Sequence, residues 1–386
     1  HTRSATLAIF AVFFFESAVI GQWIPRIPDI KTALALSDSD LGLALLSMPL
    51  GTLFGFSIAG KIIGLTGLRM ACRIFLPLWA VLFIGPALAK NFTQLVAALI
   101  LSGVAIGMIE TAMNTEAARI EKVAGKRLMS RCHGFWSFGT MVGALIGGSL
   151  AQSGMSVSTH FLIAMPLIAI GGYFAATALP VLAKVVANEP ESEDNKNTQL
   201  FRLPAKAILL LCIMPLGIMM VEGAFIDWSA VFMRDVLEAD PLIIAVTYSF
   251  FSVVMALVRF SGDAVANRYG DVTVVRVSGL AATIGIATFA LAPTIVVAFI
   301  AAAIAGAGVA IVFPLAVSAA ANKPGRSSAD NVASLNMIAF TAFLIAPPII
   351  GFLSDLFSLR LALLALAPLA FLTFILAGEV KQKGGS

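Results

Sequence analysis

The chain has 386 residues, 59% hydrophobic and 12% charged, with a formal net charge of +4. Soluble domains carry roughly 25% charged residues and are under half apolar, so this composition excludes an ordinary soluble domain and points to a membrane protein. The basic balance does not point to nucleic acid, because Lys and Arg sit in short loops between apolar runs rather than on a solvated domain.

A membrane-crossing helix needs about 20 mostly apolar residues. Taken in chain order, such runs lie near 5–24, 39–60, 71–89, 93–117, 132–152 and 159–182. The polar stretch ANEPESEDNKNTQ (187–199) follows, and its charge and proline suit a flexible connection. Further runs lie near 207–229, 241–262, 273–291, 295–320, 332–353 and 360–378. The expected fold is an all-α membrane protein of twelve helices in two pseudo-symmetric six-helix halves. Residues 1–182 form the first half, 183–206 a cytoplasmic linker and 207–380 the second half. Residues 381–386 are expected to be a tail or an engineered scar. The first span is expected to insert without a cleavable signal.

Orientation follows from the basic residues. With the N-terminus placed inside, nineteen of the 25 Lys and Arg fall in inside segments, five in outside segments, and Arg259 within a span. Both termini are therefore expected to be cytoplasmic, in a bacterial-type plasma (inner) membrane.

The two halves repeat each other. FFFESAVIGQW (13–23) and MVEGAFIDW (220–228) each carry a glutamate, Glu16 or Glu222, inside an apolar run that ends in Trp. SGVAIGMIETAMN (102–114) is echoed by AGAGVAIVFPLAV (305–317), and GALIGGSLAQ (143–152) by APPIIGFLSD (346–355). Their common order argues for homologous halves, a plan of secondary transporters with a substrate site between the halves near the midplane.

The loops extend this pattern. DAVANRYG (263–270) has Asp263, Arg268 and Gly270, with Asn267 before the arginine. GKIIGLTGLR (60–69) has Gly60, Gly67 and Arg69 but Gly64 and Leu65 between them. These loops resemble the loop motif of the major facilitator superfamily, except for the missing Asp-Arg pair in the first copy. GMIETAMNTEAARIE (107–121), SRCHGFWSFG (130–139), EGAFIDWSA (222–230) and APPIIGFLSD (346–355) resemble its MosC-like and fucose-permease-like branch. The resemblance implies transport of sugars or sugar-like compounds, often with protons.

A charge at the bilayer centre costs a few kcal/mol or more, so it normally faces the bundle interior. Glu16 shares a helical face with Val19, Ile20 and Trp23. That face would offer a sugar one hydrogen-bonding group and one stacking plate, or would merely fix packing. Gly103, Gly107, Glu110 and Asn114 form one stripe on the fourth span, with glycines that admit a close neighbour. The resemblance supports a role for acids in the first and fourth spans. Glu16 and Glu110 are the expected proton-coupling pair, with Glu222 as the pseudo-symmetric third member. Asp227 is expected to be solvated or paired with Arg234. Gln22, Trp23, Asn114 and Asn336 are candidate substrate-binding groups. Glu116 and Arg119, with Glu121 beside them, are candidate gating residues, as are Arg259, Asp263 and Arg268. Arg259 is expected to pair with Asp263, four residues on. His133 sits at the cytoplasmic rim, and Trp79 and Trp136 read as packing or interfacial residues.

Cys72, Cys132 and Cys212 and the three histidines show no metal-ligand spacing, and no cofactor is expected. No phosphate-cradling Gly-Lys-Ser/Thr motif is present, which argues against ATP drive, and no nucleophile triad suggests catalysis. The expected function is secondary transport of a small polar, sugar-like solute by alternating access, coupled to protons. A drug or metabolite exporter or an uncoupled facilitator would use the same fold; a transport-dead receptor should carry an extramembrane domain. The expected partners are the substrate, the proton and the lipid bilayer around a monomer.

Overall fold

The structure is a computed structural model that describes residues 2–125, 128–180, 208–323 and 328–381. The whole expected linker, both half boundaries and most of the C-terminal tail lie outside the described residues.

Among the described residues, twelve segments are long and apolar enough to cross a membrane: α1 (Arg3–Ala33), α2 (Asp38–Thr66), α3 (Leu68–Leu88), α4 (Phe92–Ala124), α5 (Met129–Gln152) and α6 (Val157–Thr177), then α7 (Leu209–Asp227), α8 (Pro241–Gly262), α9 (Asp271–Ala290), α10 (Ile295–Ala321), α11 (Ser334–Leu356) and α12 (Leu359–Val380). Each predicted span coincides with one of them. Helix is the form these runs must take, because hydrocarbon offers no partner for an open backbone N–H or C=O. One end of the bundle carries the basic loops and is here the basic face; the other is the far face.

The even-numbered helices start at the far face, and most are capped there by side chains. Ser37 and Asp40 form a reciprocal capping box at α2, while Asn91, Ser156, Thr294 and Ser358 cap α4, α6, α10 and α12. At the basic face, the α2–α3 and α8–α9 turns use glycine instead. Gly67 and Gly270 both have φ +81°, a conformation that disfavours any residue with a Cβ. The same strained position at the same point of each half supports the motif alignment made from sequence.

Packing repeats as the sequence does. In the first half α1 packs on α5, α2 on α4 and α3 on α6; in the second α7 packs on α11, α8 on α10 and α9 on α12. The halves meet along α2–α11 and α5–α8, two contacts that exchange under the same six-helix shift. Membrane helices gain little hydrophobic energy from one another, so close backbone approach is what holds such pairs. A Cβ on Gly107 of α4 would stand 2.5 Å from the Thr52 carbonyl oxygen and 3.1 Å from the Gly55 Cα of α2. The glycines of the expected α4 stripe therefore serve helix packing.

Candidate functional site

Glu16 lies in the middle of α1 with no exposed surface. Its Oε2 accepts a hydrogen bond from the Trp136 indole N–H of α5 at 2.9 Å, and its backbone carbonyl accepts from Trp79 Nε1 at 3.2 Å. Its Oε1 is buried and has no hydrogen-bond partner among the described residues. An indole, not a cation, thus holds this carboxyl. Half-buried Glu110 of α4 stands close enough for its charge to bear on Glu16. Asn114 is spent locally, its amide donating to the Glu110 carbonyl oxygen at 2.9 Å.

The second half presents a different arrangement. Glu222 of α7 accepts from Arg259 Nη2 of α8 at 3.1 Å. The same guanidinium donates through Nε to the Ala310 carbonyl at 3.2 Å, beside the break between the two helical pieces of α10. Its Nη1 lies 3.5 Å from Ser137 Oγ of α5, across the half boundary. Arg259 therefore reaches Glu222 rather than acting only as a local clamp; the Asp263 side chain lies outside the described residues. Near it, Ser252 of α8 donates to the Ser137 carbonyl at 2.9 Å and shares a 3.0 Å contact with Thr140 of α5.

A cavity of about 580 Å³ opens toward the basic face between α5, α8 and α10. Ser130, His133, Arg259, Asn267, Asp271 and Ser318 supply its polar lining. His133 sits one turn before Trp136 on α5, so one helix face carries both a cavity residue and the partner of Glu16. Asn336 of α11 is exposed within its span.

Several expected site residues are placed elsewhere. Trp23 is 2% exposed and packs edge-on to Phe83 and Phe161 in the first-half core, so it offers no stacking plate to the cavity. Gln22 is buried with its Oε1 2.5 Å from His160 Nε2, and His160 Nδ1 accepts from Arg26 Nε at 3.1 Å. The face predicted to present Glu16 and Trp23 together is turned into the first half. Asp227 forms no ion pair with Arg234, which lies 2.6 Å from Asp235. Glu116 and Arg119 pair within α4 at 3.5 Å, and Glu121 accepts from the Leu128 and Met129 backbone N–H groups at the start of α5. These contacts lie within the first half. Arg268 is exposed, with its guanidinium 5.3 Å over the Tyr269 ring.

Among the described residues, the ion pair that joins the halves is on the far face. Lys31 pairs with Asp38 of its own half at 2.5 Å and with Asp235 of the other at 2.9 Å. Arg234 donates to Thr32 Oγ1 at 2.9 Å. Asp355 accepts from the Asp38 and Ser39 backbone N–H groups at 3.1 and 2.9 Å, and Ser354 donates to Asp38. Burial works to raise the Asp235 carboxyl, but hydrogen bonds from Arg234 and Lys31 prevail and hold it below the usual aspartate range. Sequence reading assigned these residues to loops; the one hint was Asp355, which closes the repeated segment APPIIGFLSD.

A two-half helical bundle with buried acids, one face bridged and a polar cavity toward the other, has the architecture of a membrane transporter. Residues 5–342 match the Major Facilitator Superfamily, and the chain belongs to that family. It is 30% identical over 375 residues to an uncharacterized transporter, y4wD, of Sinorhizobium fredii, covering 97% of each chain. It is 26% identical over 380 residues to the membrane protein MosC of Rhizobium meliloti, covering 94% of this chain and 88% of that one. Among solved structures, the nucleoside transporter NupG is similar with a TM-score of 0.73 at 14% identity, covering 98% of this chain and 100% of that one. The E. coli fucose:proton symporter FucP is similar with a TM-score of 0.66 at 18% identity, covering 98% of each chain. At these identities the structural likenesses speak to the fold alone.

Proposed function

We propose that this transporter moves a small polar, sugar-like solute by alternating access and couples that movement to protons through Glu16 and Glu110. The observation that carries the proposal is the Glu16 carboxyl: fully buried at mid-span, held by Trp136, and within electrostatic reach of a second acid. Two carboxyls kept near each other in hydrocarbon are expensive unless protons come and go. A proton taken up while the cavity faces one side and released while it faces the other would tie the gradient to the cycle.

Glu222 has a different part in this reading. Its ion pair with Arg259 makes it a strut between α7 and α8, and Arg259 extends that strut to α5 of the other half. Far-face bridging by Lys31, Asp38 and Asp235 then holds the state whose cavity opens at the basic face. The Lys and Arg distribution supports a cytoplasmic reading of that face. The sugar-like substrate is supported by the resemblance of this chain's motifs to the fucose-permease-like branch.

The test is flux in liposomes loaded with a pH-sensitive dye. Gradients of sugars, cyclitols, nucleosides, amino acids and amphipathic cations are imposed in turn. Proton movement driven by a sugar-like solute supports the proposal. Solute movement without protons, or movement of amphipathic cations alone, replaces it with an uncoupled facilitator or an exporter.

A further inference from the structure

We infer that the second half carries a binding site for an anionic phospholipid, in a groove between α8, α9 and α10 near the basic face. The groove has a volume of about 450 Å³, and Val265, Tyr269, Val277, Ala281, Ala307 and Ile311 are among its lining residues. It is distinct from the cavity between the halves, although Gly262 and Ile311 border both. Val265, Tyr269 and Val277 are exposed at 37%, 58% and 64%, so the groove opens sideways toward hydrocarbon rather than into the bundle. Small residues make the hollow: Ala281 and Ala307 leave room that larger side chains would fill.

In a bilayer such a groove takes an acyl chain. The chain confers little selectivity, because lipid tails are as apolar as the residues they touch. Selectivity comes from the rim. Arg268 and Arg276 are both exposed, and each directly precedes a lining residue, Tyr269 and Val277. Arg268 is oriented by its stacking on Tyr269, whose ring also lines the groove. Arg276 immediately precedes Val277 of the lining, on the same exposed stretch of α9. An apolar slot whose lining residues Tyr269 and Val277 are each preceded by an exposed arginine matches a lipid whose tail is hydrocarbon and whose headgroup is a phosphate with net negative charge. Arginine near an anionic headgroup is worth about 1 kcal/mol, or roughly five-fold in affinity, per residue.

The test uses the full chain in nanodiscs of mixed phosphatidylglycerol and phosphatidylcholine, with co-purified lipid counted by native mass spectrometry. The expected result is preferential retention of phosphatidylglycerol. R268Q/R276Q should lower that retention about ten-fold or more while leaving phosphatidylcholine unchanged, and R268K/R276K should largely restore it. A281F, which fills the slot, should lower phosphatidylglycerol retention with both arginines in place. Equal retention of the two lipids overturns the inference. So does unchanged phosphatidylglycerol retention in R268Q/R276Q, or in A281F, with the same thermal stability as the parent chain.

Discussion

Replacing Lys31 by methionine should loosen the far face without unfolding the protein. Methionine keeps most of the apolar stem and removes the ammonium. Lys31 makes two ion pairs, but only one bears on the equilibrium between states. Its 2.5 Å contact with Asp38 lies within one half and persists however the halves rotate. Its 2.9 Å contact with Asp235 crosses the boundary and exists only while the far face is closed. Side-chain exposures of 16% and 30% place that contact between a surface pair and a buried one. A value of about 1 to 1.5 kcal/mol is therefore reasonable. That shifts the ratio of far-open to far-closed molecules about 5- to 13-fold. The assay is double electron–electron resonance between labels at Ala33→Cys and Glu238→Cys, both exposed on the far face in opposite halves. The three native cysteines are buried and would be replaced. Asp235→Asn should produce a similar shift, and the double variant should add little to either single one. Unchanged distance distributions, or strictly additive shifts, would refute the reasoning.

Three further outcomes follow from the same geometry. Arg259→Met strands the Glu222 carboxylate in a region where its side chain is 9% exposed, so the melting temperature should fall by an amount corresponding to about 3 kcal/mol. Glu222→Gln with Arg259→Gln should recover most of that loss, and a double variant as unstable as Arg259→Met would contradict a paired role. Trp136→Phe removes the indole hydrogen bond to the Glu16 carboxyl and should displace the pH profile of transport, while Trp23→Phe in the first-half core leaves it in place; equal effects would show that only packing matters. The Asp235 carboxyl, held below its usual range, stabilises the closed far face above that range and loses the contribution only as pH falls through its depressed value. Closure measured by the same labels in Glu16→Gln/Glu110→Gln should therefore stay constant between about pH 5 and pH 8, and a slope there would place the titrating group elsewhere.

The twelve helices were legible because hydropathy alone marks runs that must satisfy their own backbone in hydrocarbon. The two halves were legible because each repeated segment occupies the matching helix, down to Gly67 and Gly270 at matching turns. Glu16 stood out as a charge inside an apolar run. Its partner did not: Trp136 is 120 residues away, and nothing in its surroundings distinguishes an indole that holds a carboxyl from one that sits at an interface. Arg259 looked like the partner of Asp263 because helical spacing is visible in sequence, whereas the 37-residue separation to Glu222 depends on how α7 packs beside α8. The rule that placed Trp23 on the face of Glu16 held, but periodicity does not say which way that face turns. Lys31, Asp38 and Asp235 read as loop charges, because only the meeting of the halves makes them a bridge.

The most direct measurement compares two kinds of transport by Glu16→Gln in liposomes, using the solute that the flux panel identifies. One is exchange of labelled for unlabelled solute at equal pH on both sides; the other is accumulation driven by a pH gradient. If Glu16 carries the coupling, exchange persists in Glu16→Gln and gradient-driven accumulation is lost. Accumulation at the parent level in Glu16→Gln would contradict that role and leave the buried carboxyl as a packing element held by Trp136.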